Sequence, residues 1–267
     1  MLSKELFEEV MYDQTEWPGE SIPLEDVHLI SHRYNRALEF CEDKDVLEVG
    51  GGSTIGKAEI ARKVKSYVGI DIASKNLQLS SHLCEPNVMH LCKADAHYLP
   101  FRDSSFDSVF ALAMVYYLDS KLFLAEVRRV LRPGGHLYFC TSNKDVPGFT
   151  DAPGSREYFG LPEWKKILSV NGFAVSFEGV FKKDHALPLG IRAWLIAKIK
   201  GLIASLGLMS IWRLARYFAK GKRVAIPATL EEFPVANEMP QLLSGEAPDT
   251  THRVIYCICR LEDGSGS

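Results

Sequence analysis

No C-x-x-C pair occurs among the six cysteines (41, 84, 92, 140, 257 and 259), and no histidine stands at metal-ligand spacing from them. Cys257 and Cys259 fall on opposite faces of an extended segment, so they cannot share one metal ion. The expectation is buried, reduced thiols in a cytoplasmic protein with no metal. A large net charge is also missing. With 31 Lys and Arg against 34 Asp and Glu, the formal charge of −3 argues against nucleic acid as a partner. The longest uncharged stretch of the apolar region, 201–212, is far short of the ~20 residues a bilayer span needs. The first ten residues are acidic and carry no apolar h-region, so no signal peptide is expected. Residues 264–267, Gly-Ser-Gly-Ser, read as an appended tail outside the fold.

What is present is most concentrated at residues 45–56, Asp-Val-Leu-Glu-Val-Gly-Gly-Gly-Ser-Thr-Ile-Gly, followed by Val68-Gly69-Ile70-Asp71. An apolar strand runs into a glycine loop, and a second apolar strand ends in a carboxylate. Without Cβ atoms the loop backbone can approach a ligand closely. The carboxylate one strand away can grip the two hydroxyls of a ribose. A nucleoside-bearing cofactor follows. The dinucleotide fingerprint G-x-G-x-x-G fits Gly50 and Gly52, but its third glycine would fall at Ile55 rather than at Gly56. Glu48 would repel a pyrophosphate and hold an ammonium group, which favours S-adenosylmethionine over NAD.

Further along stand Asp95-Ala96-His97-Tyr98-Leu99-Pro100-Phe101, then Ser105-Phe106-Asp107-Ser108-Val109-Phe110-Ala111-Leu112, then Leu131-Arg132-Pro133-Gly134-Gly135. This ordered set resembles the class I S-adenosylmethionine-dependent methyltransferases, in particular the small-molecule group with the D-A-x-x-L-P-F and L-R-P-G-G signatures. The resemblance covers roughly residues 24–181 and resumes at 252–260. It implies an enzyme that converts S-adenosylmethionine to S-adenosylhomocysteine.

The alternation of runs predicts strands at about 45–49, 67–71, 89–92, 106–112, 135–141, 173–181 and 253–260, with a helix over 24–41 ahead of them. Ser120 reads as the cap of a helix whose stripe is Phe123, Val127, Val130 and Leu131. Pro162 starts another helix, Glu163 to about Val170, closed by Gly172. The fold class expected is α/β: a Rossmann-like, doubly wound sheet. The resemblance supplies seven strands in the order 3-2-1-4-5-7-6, the last antiparallel. The expected domains are an N-terminal cap and helix at 1–44, a cofactor-binding core at 45–181 with 252–261, and a helical insert at 182–251.

That insert is the second notable feature. Between Lys182 and Arg223 there are ten Lys or Arg and one acid, Asp184, so the segment is +9 and the rest of the chain −12. Ile211, Leu214 and Phe218 share one helical face; Arg213, Arg216 and Lys220 share the other. Three readings stay open: a lid packed on the sheet, a helix pair over 187–223 lying on anionic lipid and admitting a lipophilic acceptor, or a cap for an acidic acceptor or a dimer arm. Monomer and dimer both remain open.

Roles by position follow from the rule that ligands bind beyond the carboxyl ends of the strands. The methionine end of the cofactor falls to Glu48, Gly50, Gly52, Leu112 and Ala113. Asp71 falls to the ribose, with Ile72 on an adenine face and Asp95 on the adenine amino group beside Ala96. Thr54 stands where the family loop has a glycine, which leaves that turn open and offers a hydroxyl contact. Arg33 is either a partner for the cofactor carboxylate or a surface charge. Related proteins often carry a His pair after the fourth strand; here Tyr116 and Tyr117 stand there as acceptor-binding or catalytic candidates. His185 is the remaining general-base candidate, and His97 reads as a rim or packing residue. Tyr12, Arg156 and Tyr158 sit on segments able to cover the site as substrate contacts. No N-P-P-Y or D-P-P-Y follows the fourth strand, which disfavours amino methylation of adenine, cytosine or glutamine. A small-molecule acceptor remains, methylated on oxygen or nitrogen with oxygen favoured. The alternatives are a lipid- or quinone-like acceptor at the membrane surface, or a regulator that binds S-adenosylmethionine without turnover.

Overall fold

A computed structural model of the chain describes residues 16–52, 55–81, 88–182, 198, 222–234 and 238–262. The apolar runs of the central chain become β2 (Asp45–Val49), β3 (Ser66–Asp71), β4 (Met89–Lys93), β5 (Phe106–Leu112) and β6 (Leu131–Ser142). Short parallel strands covered on both faces need apolar runs, which Val46, Leu47 and Val49 supply in β2 and Val109, Phe110, Ala111 and Leu112 in β5. β7 (Phe173–Lys182) and β10 (His252–Leu261) complete the set as longer, antiparallel partners. With β9 (Gln241–Leu243) at one edge, the strands lie in the order β4-β3-β2-β5-β6-β10-β7-β9. β2 pairs parallel with β3 and β5, and β10 runs antiparallel between β6 and β7.

Alternation along the strands sends side chains to two separate cores. Leu47, Val109, Ala111, Leu137 and Phe139 face α4 (Ser120–Val130) and α5 (Leu161–Val170). Val46, Phe110, Leu112, Tyr138 and Tyr256 face α1 (Leu24–Ala37) and α2 (Lys57–Ala61). α4 shows why these segments dock: Phe123, Leu124, Val127 and Val130 are buried along one stripe. Each contributes about 1.5–3 kcal/mol by leaving water. α3 (Ser74–Ser81) follows β3 and carries buried Asn76 and Ser80 toward the glycine loop. A bidentate pair, Arg36 Nε to Glu178 Oε2 at 3.0 Å and Nη2 to Oε1 at 2.7 Å, ties α1 to β7.

The structure differs from the sequence expectation in four places. The sheet has an eighth strand, β9 (Gln241–Leu243), paired antiparallel with the edge of β7. A second sheet joins β1 (Ser21–Pro23) to β8 (Arg223–Ala225), so the N-terminal segment and the insert are hydrogen-bonded to each other. The described part of the insert supplies these strands and one 3-10 turn (Leu230–Glu232); nearly all of 187–223, where helices are expected, lies outside the described residues. The cap of α4 is Asp119, whose Oδ1 accepts from the Lys121 and Leu122 amides at 3.1 and 3.2 Å; Ser120 is already inside the helix. The helix expected over 24–41 stops at Ala37 and tightens to a 3-10 turn over Leu38–Phe40. No described helix is long and apolar enough to cross a membrane.

Candidate cofactor and acceptor site

The carboxyl ends of β2, β3, β4 and β5 converge on the glycine loop. Gly50 has φ +73°, a conformation that costs side-chain-bearing residues energy, and its amide and that of Gly51 both donate to Ile70 O (2.9 and 3.0 Å). Gly52 lies against the end of β3. A Cβ there would come within 2.7 Å of Asn76 Cβ, and nearer still to Asp71 Oδ2. Gly56, which caps α2 at φ +74°, leaves room for the Tyr34 ring, 2.7 Å from where its Cβ would be. The fourth glycine of the run thus serves the packing of α1.

Asp71 closes β3 with its carboxylate held on one side: Oδ1 accepts from the Ala73 amide at 2.8 Å, and Asn76 Nδ2 reaches Oδ2 at 3.4 Å. Burial pushes its carboxyl above the ordinary carboxylate range, against the pull of these donors and of Lys57. Ile72 follows, half-buried. Asp95 stands across from it after β4, with a side chain 41% exposed. Its Oδ1 takes both the His97 amide (2.9 Å) and His97 Nδ1 (2.7 Å). Ala96 is buried beside it. Leu112 ends β5, and Ala113 turns the chain at φ +57°. Asp71, Ile72, Asp95, Ala96, Leu112 and Ala113 are thus carried to one edge of the sheet.

Two of the expected cofactor contacts have partners within the chain. Glu48, 1% exposed, accepts from the Tyr67 hydroxyl and from the Tyr34 hydroxyl at 3.3 Å. Arg33 pairs with Glu16, while its Nε is buried without a hydrogen-bond partner. Burial opposes the Arg33 charge, but the Glu16 carboxylate outweighs it and raises the pKa. Thr54, Tyr12 and His185 lie outside the described residues, as does nearly all of 187–223.

The acceptor candidates form an aromatic wall. Tyr116 stacks on Tyr158 at 4.9 Å and 18°, and leans on Tyr117 at 4.7 Å; Phe149 meets Tyr158 edge-on at 4.7 Å. Backbone bonds fix this wall, because the Arg156 and Glu157 amides both donate to Tyr116 O (2.8 and 3.2 Å). Arg156 itself reaches Asp119 Oδ2 at 2.7 Å. Burial drives the Tyr116 phenol pKa far above its usual value, which favours the protonated phenol.

Sequence reasoning missed two residues here and gave a third only as a rim or packing residue. Lys57, fully buried, donates to Gly51 O and to the Ser80 hydroxyl (3.2 Å), and Ser80 donates to Gly52 O at 2.6 Å. Together they hold the loop carbonyls inward. A lysine one position after a glycine reads as surface charge; the only hint was Asn76 and Ser80 at helical i, i+4 spacing. The third is His97, which bonds Asp95 on one ring nitrogen and, on the other, the Asp119 amide at 2.9 Å. The L-R-P-G-G signature, by contrast, works at the opposite edge of the sheet. Arg132 there clamps Asp107 (2.7 Å) and Asp45 (3.0 Å).

The residues fit S-adenosylmethionine on an observation of their own: a carboxylate at a strand end lies under a glycine whose Cβ would collide with it. Among the described residues no cluster of three metal-ligating side chains occurs. Residues 47–139 match the family model described as a methyltransferase domain. The chain is 32% identical over 174 residues to a fatty-acid O-methyltransferase of Mycolicibacterium smegmatis, covering 58% of this chain and 59% of that one. It is 32% identical over 139 residues to a demethylmenaquinone methyltransferase of Tropheryma whipplei, covering 50% and 56%. The chain thus spans a little over half the length of these two relatives. The YcgJ protein of Bacillus subtilis shares the fold, with a TM-score of 0.55 over 87% of this chain and 99% of that one, at 18% identity. The family match thus falls on residues 47–139, the segment that holds the glycine loop and the carboxyl ends of β2, β3, β4 and β5.

Proposed function

We propose that the protein transfers a methyl group from S-adenosylmethionine to an oxygen of a small molecule with a lipophilic body. The observation that carries this is the Asp71 carboxylate facing Gly52 at the end of β3, with the Tyr116–Tyr117–Tyr158 wall beyond β5. When bound, the cofactor supplies an electrophilic methyl group on sulfonium: the acceptor oxygen forms the new O–CH3 bond as the S–CH3 bond breaks, and the electron pair stays on sulfur. The chain's own task is to hold both partners in line, which accounts for much of the barrier reduction in such transfers. Asp71 would accept from the ribose hydroxyls and Asp95 from the adenine amino group, and the aromatic wall would orient the acceptor.

The protonated Tyr116 phenol is a donor rather than a base. An acceptor oxygen that is already ionised, a carboxylate or an acidic phenol, needs no proton removed. The cationic Arg33, close enough to Tyr116 to pull its pKa down, favours such an anion. The two relatives, one acting on a fatty acid and one on demethylmenaquinone, favour a lipophilic body. Whether the basic segment 187–223 brings that acceptor from a membrane surface is part of the same proposal.

Methyl-labelled S-adenosylmethionine, incubated with the protein and a cell extract, tests it. Label in an organic-extractable, base-labile ester or a phenolic ether is the expected result. Label in polar amines contradicts the acceptor class, and no transfer with any extract supports a binding protein without turnover.

A further inference from the structure

We propose that His97 is a positioning residue that couples the adenine end of the site to the wall that receives the acceptor. The proposal rests on the function proposed above and deepens it. His97 Nδ1 meets Asp95 Oδ1 at 2.7 Å, and Nε2 meets the backbone amide of Asp119 at 2.9 Å. An amide N–H can only donate, so Nε2 accepts and the proton of the neutral ring sits on Nδ1, pointing at Asp95. The ring therefore fixes the face of Asp95. Both side-chain and backbone donors of His97 fall on Oδ1, which leaves Oδ2 for the adenine amino group.

From Asp119 the chain of contacts continues. Its Oδ1 caps α4, and its Oδ2 takes Arg156 at 2.7 Å. The Arg156 amide in turn donates to Tyr116 O at 2.8 Å. The imidazole, with a side chain 18% exposed, joins the loop after β4 to the residue that caps α4, while Glu126 and Arg129 tie Leu99 and Phe101 of the same loop to the far end of that helix. Occupying Asp95 with adenine thus bears on Asp119 through the ring, and loss of the ring removes the part of this linkage nearest the site. The charged groups around it are Asp95, Asp119, Arg156 and Glu157, which accepts from the Ser120 amide at 2.8 Å. A second ring proton would put an N–H on Nε2 against the Asp119 N–H, two donors face to face, so the bridge exists only with the neutral ring.

The test titrates S-adenosylhomocysteine into wild-type protein, His97→Leu and His97→Gln at pH 8, with Tm measured on the same samples. Leu removes both side-chain bonds and is expected to weaken binding about 10–30-fold, because Asp95 loses the ring donor that turns Oδ2 toward adenine. Gln keeps one donor and one acceptor. It is expected to bind within about 3-fold of wild type. A merely structural histidine would lower Tm in both variants and leave the affinity of the folded protein unchanged. Unchanged affinity in Leu, or an equal loss in Gln and Leu, overturns the proposal while leaving the proposed function standing. A wild-type protein that binds no S-adenosylhomocysteine overturns both.

Discussion

Replacing Gly52 with alanine adds a single methyl group at the point where the glycine loop meets β3. That carbon would lie 2.7 Å from Asn76 Cβ and 2.8 Å from Asn76 Nδ2, closer than carbon atoms tolerate, and closer again to Asp71 Oδ2. Asn76 is 3% exposed and Asp71 9%, so neither can swing into solvent without breaking the bonds to Ala73 and Asn76 that hold the carboxylate. Overpacking of this kind costs about 1–3 kcal/mol. For a domain of this size that lowers Tm by roughly 2–4 °C per kcal/mol. The larger effect falls on binding. A displaced Asp71 loses at least one charge-assisted bond to the ribose, about 1.5–3 kcal/mol, and each 1.4 kcal/mol is a factor of ten. Calorimetric titration with S-adenosylhomocysteine is thus expected to show affinity down about 10–100-fold. Gly135→Ala is the control. Its Cβ would meet Arg132 O at 2.8 Å at the opposite edge of the sheet, so it should lower Tm and leave affinity within 2-fold. Equal affinity in Gly52→Ala and wild type would refute the placement of the ribose under this glycine.

Other outcomes follow from the same geometry. Asp71→Ala should weaken S-adenosylhomocysteine binding about 100-fold by isothermal titration. Because burial raises the Asp71 pKa, the folded state holds that proton more tightly than the unfolded one. Its ionisation therefore destabilises the fold as pH rises through the raised pKa, and thermal melts from pH 4 to 7 should show Asp71→Ala losing this opposing slope. Tyr116→Phe should keep kcat within about 3-fold, since the protonated phenol is no base, whereas Tyr116→Ala should raise the acceptor KM by removing the stack on Tyr158. Burial pushes the thiols of Cys41 and Cys140 up to about 12 and about 11, and those of Cys257 and Cys259 well above their usual value. A thiol reagent at pH 8 should leave these four unlabelled until the protein is unfolded by denaturant.

The legible parts of the sequence were those in which one physical demand governs a whole run. β2, β3 and β5 are buried on both faces, so Val46–Val49, Val68–Ile70 and Val109–Leu112 announce themselves. α4 shows a clean apolar stripe, and its one-residue error at the cap arose because Asp119 and Ser120 are both good capping residues side by side. β1, β8 and β9 were illegible for the opposite reason. Each is three residues long and held by backbone pairing to a partner far along the chain, which leaves no periodicity to read. In the site, the carboxylates at strand ends could be found by position. Lys57 and His97 could not, since a buried lysine is made tolerable only by Gly51 O and Ser80 brought in by the fold. The bridge from Asp95 to Asp119 likewise joins residues 24 positions apart. The two tyrosine hydroxyls from α1 and β3 on the Glu48 carboxylate were also not legible in the sequence.

The central claim is that S-adenosylmethionine binds where β2, β3, β4 and β5 end. Titration of wild-type protein and Asp71→Ala with S-adenosylhomocysteine, both shown folded by the same cooperative thermal transition, tests it most directly. One site per chain in the wild type, weakened about 100-fold by the substitution, is the predicted result. Equal binding by the two proteins, or none by the wild type, would contradict it.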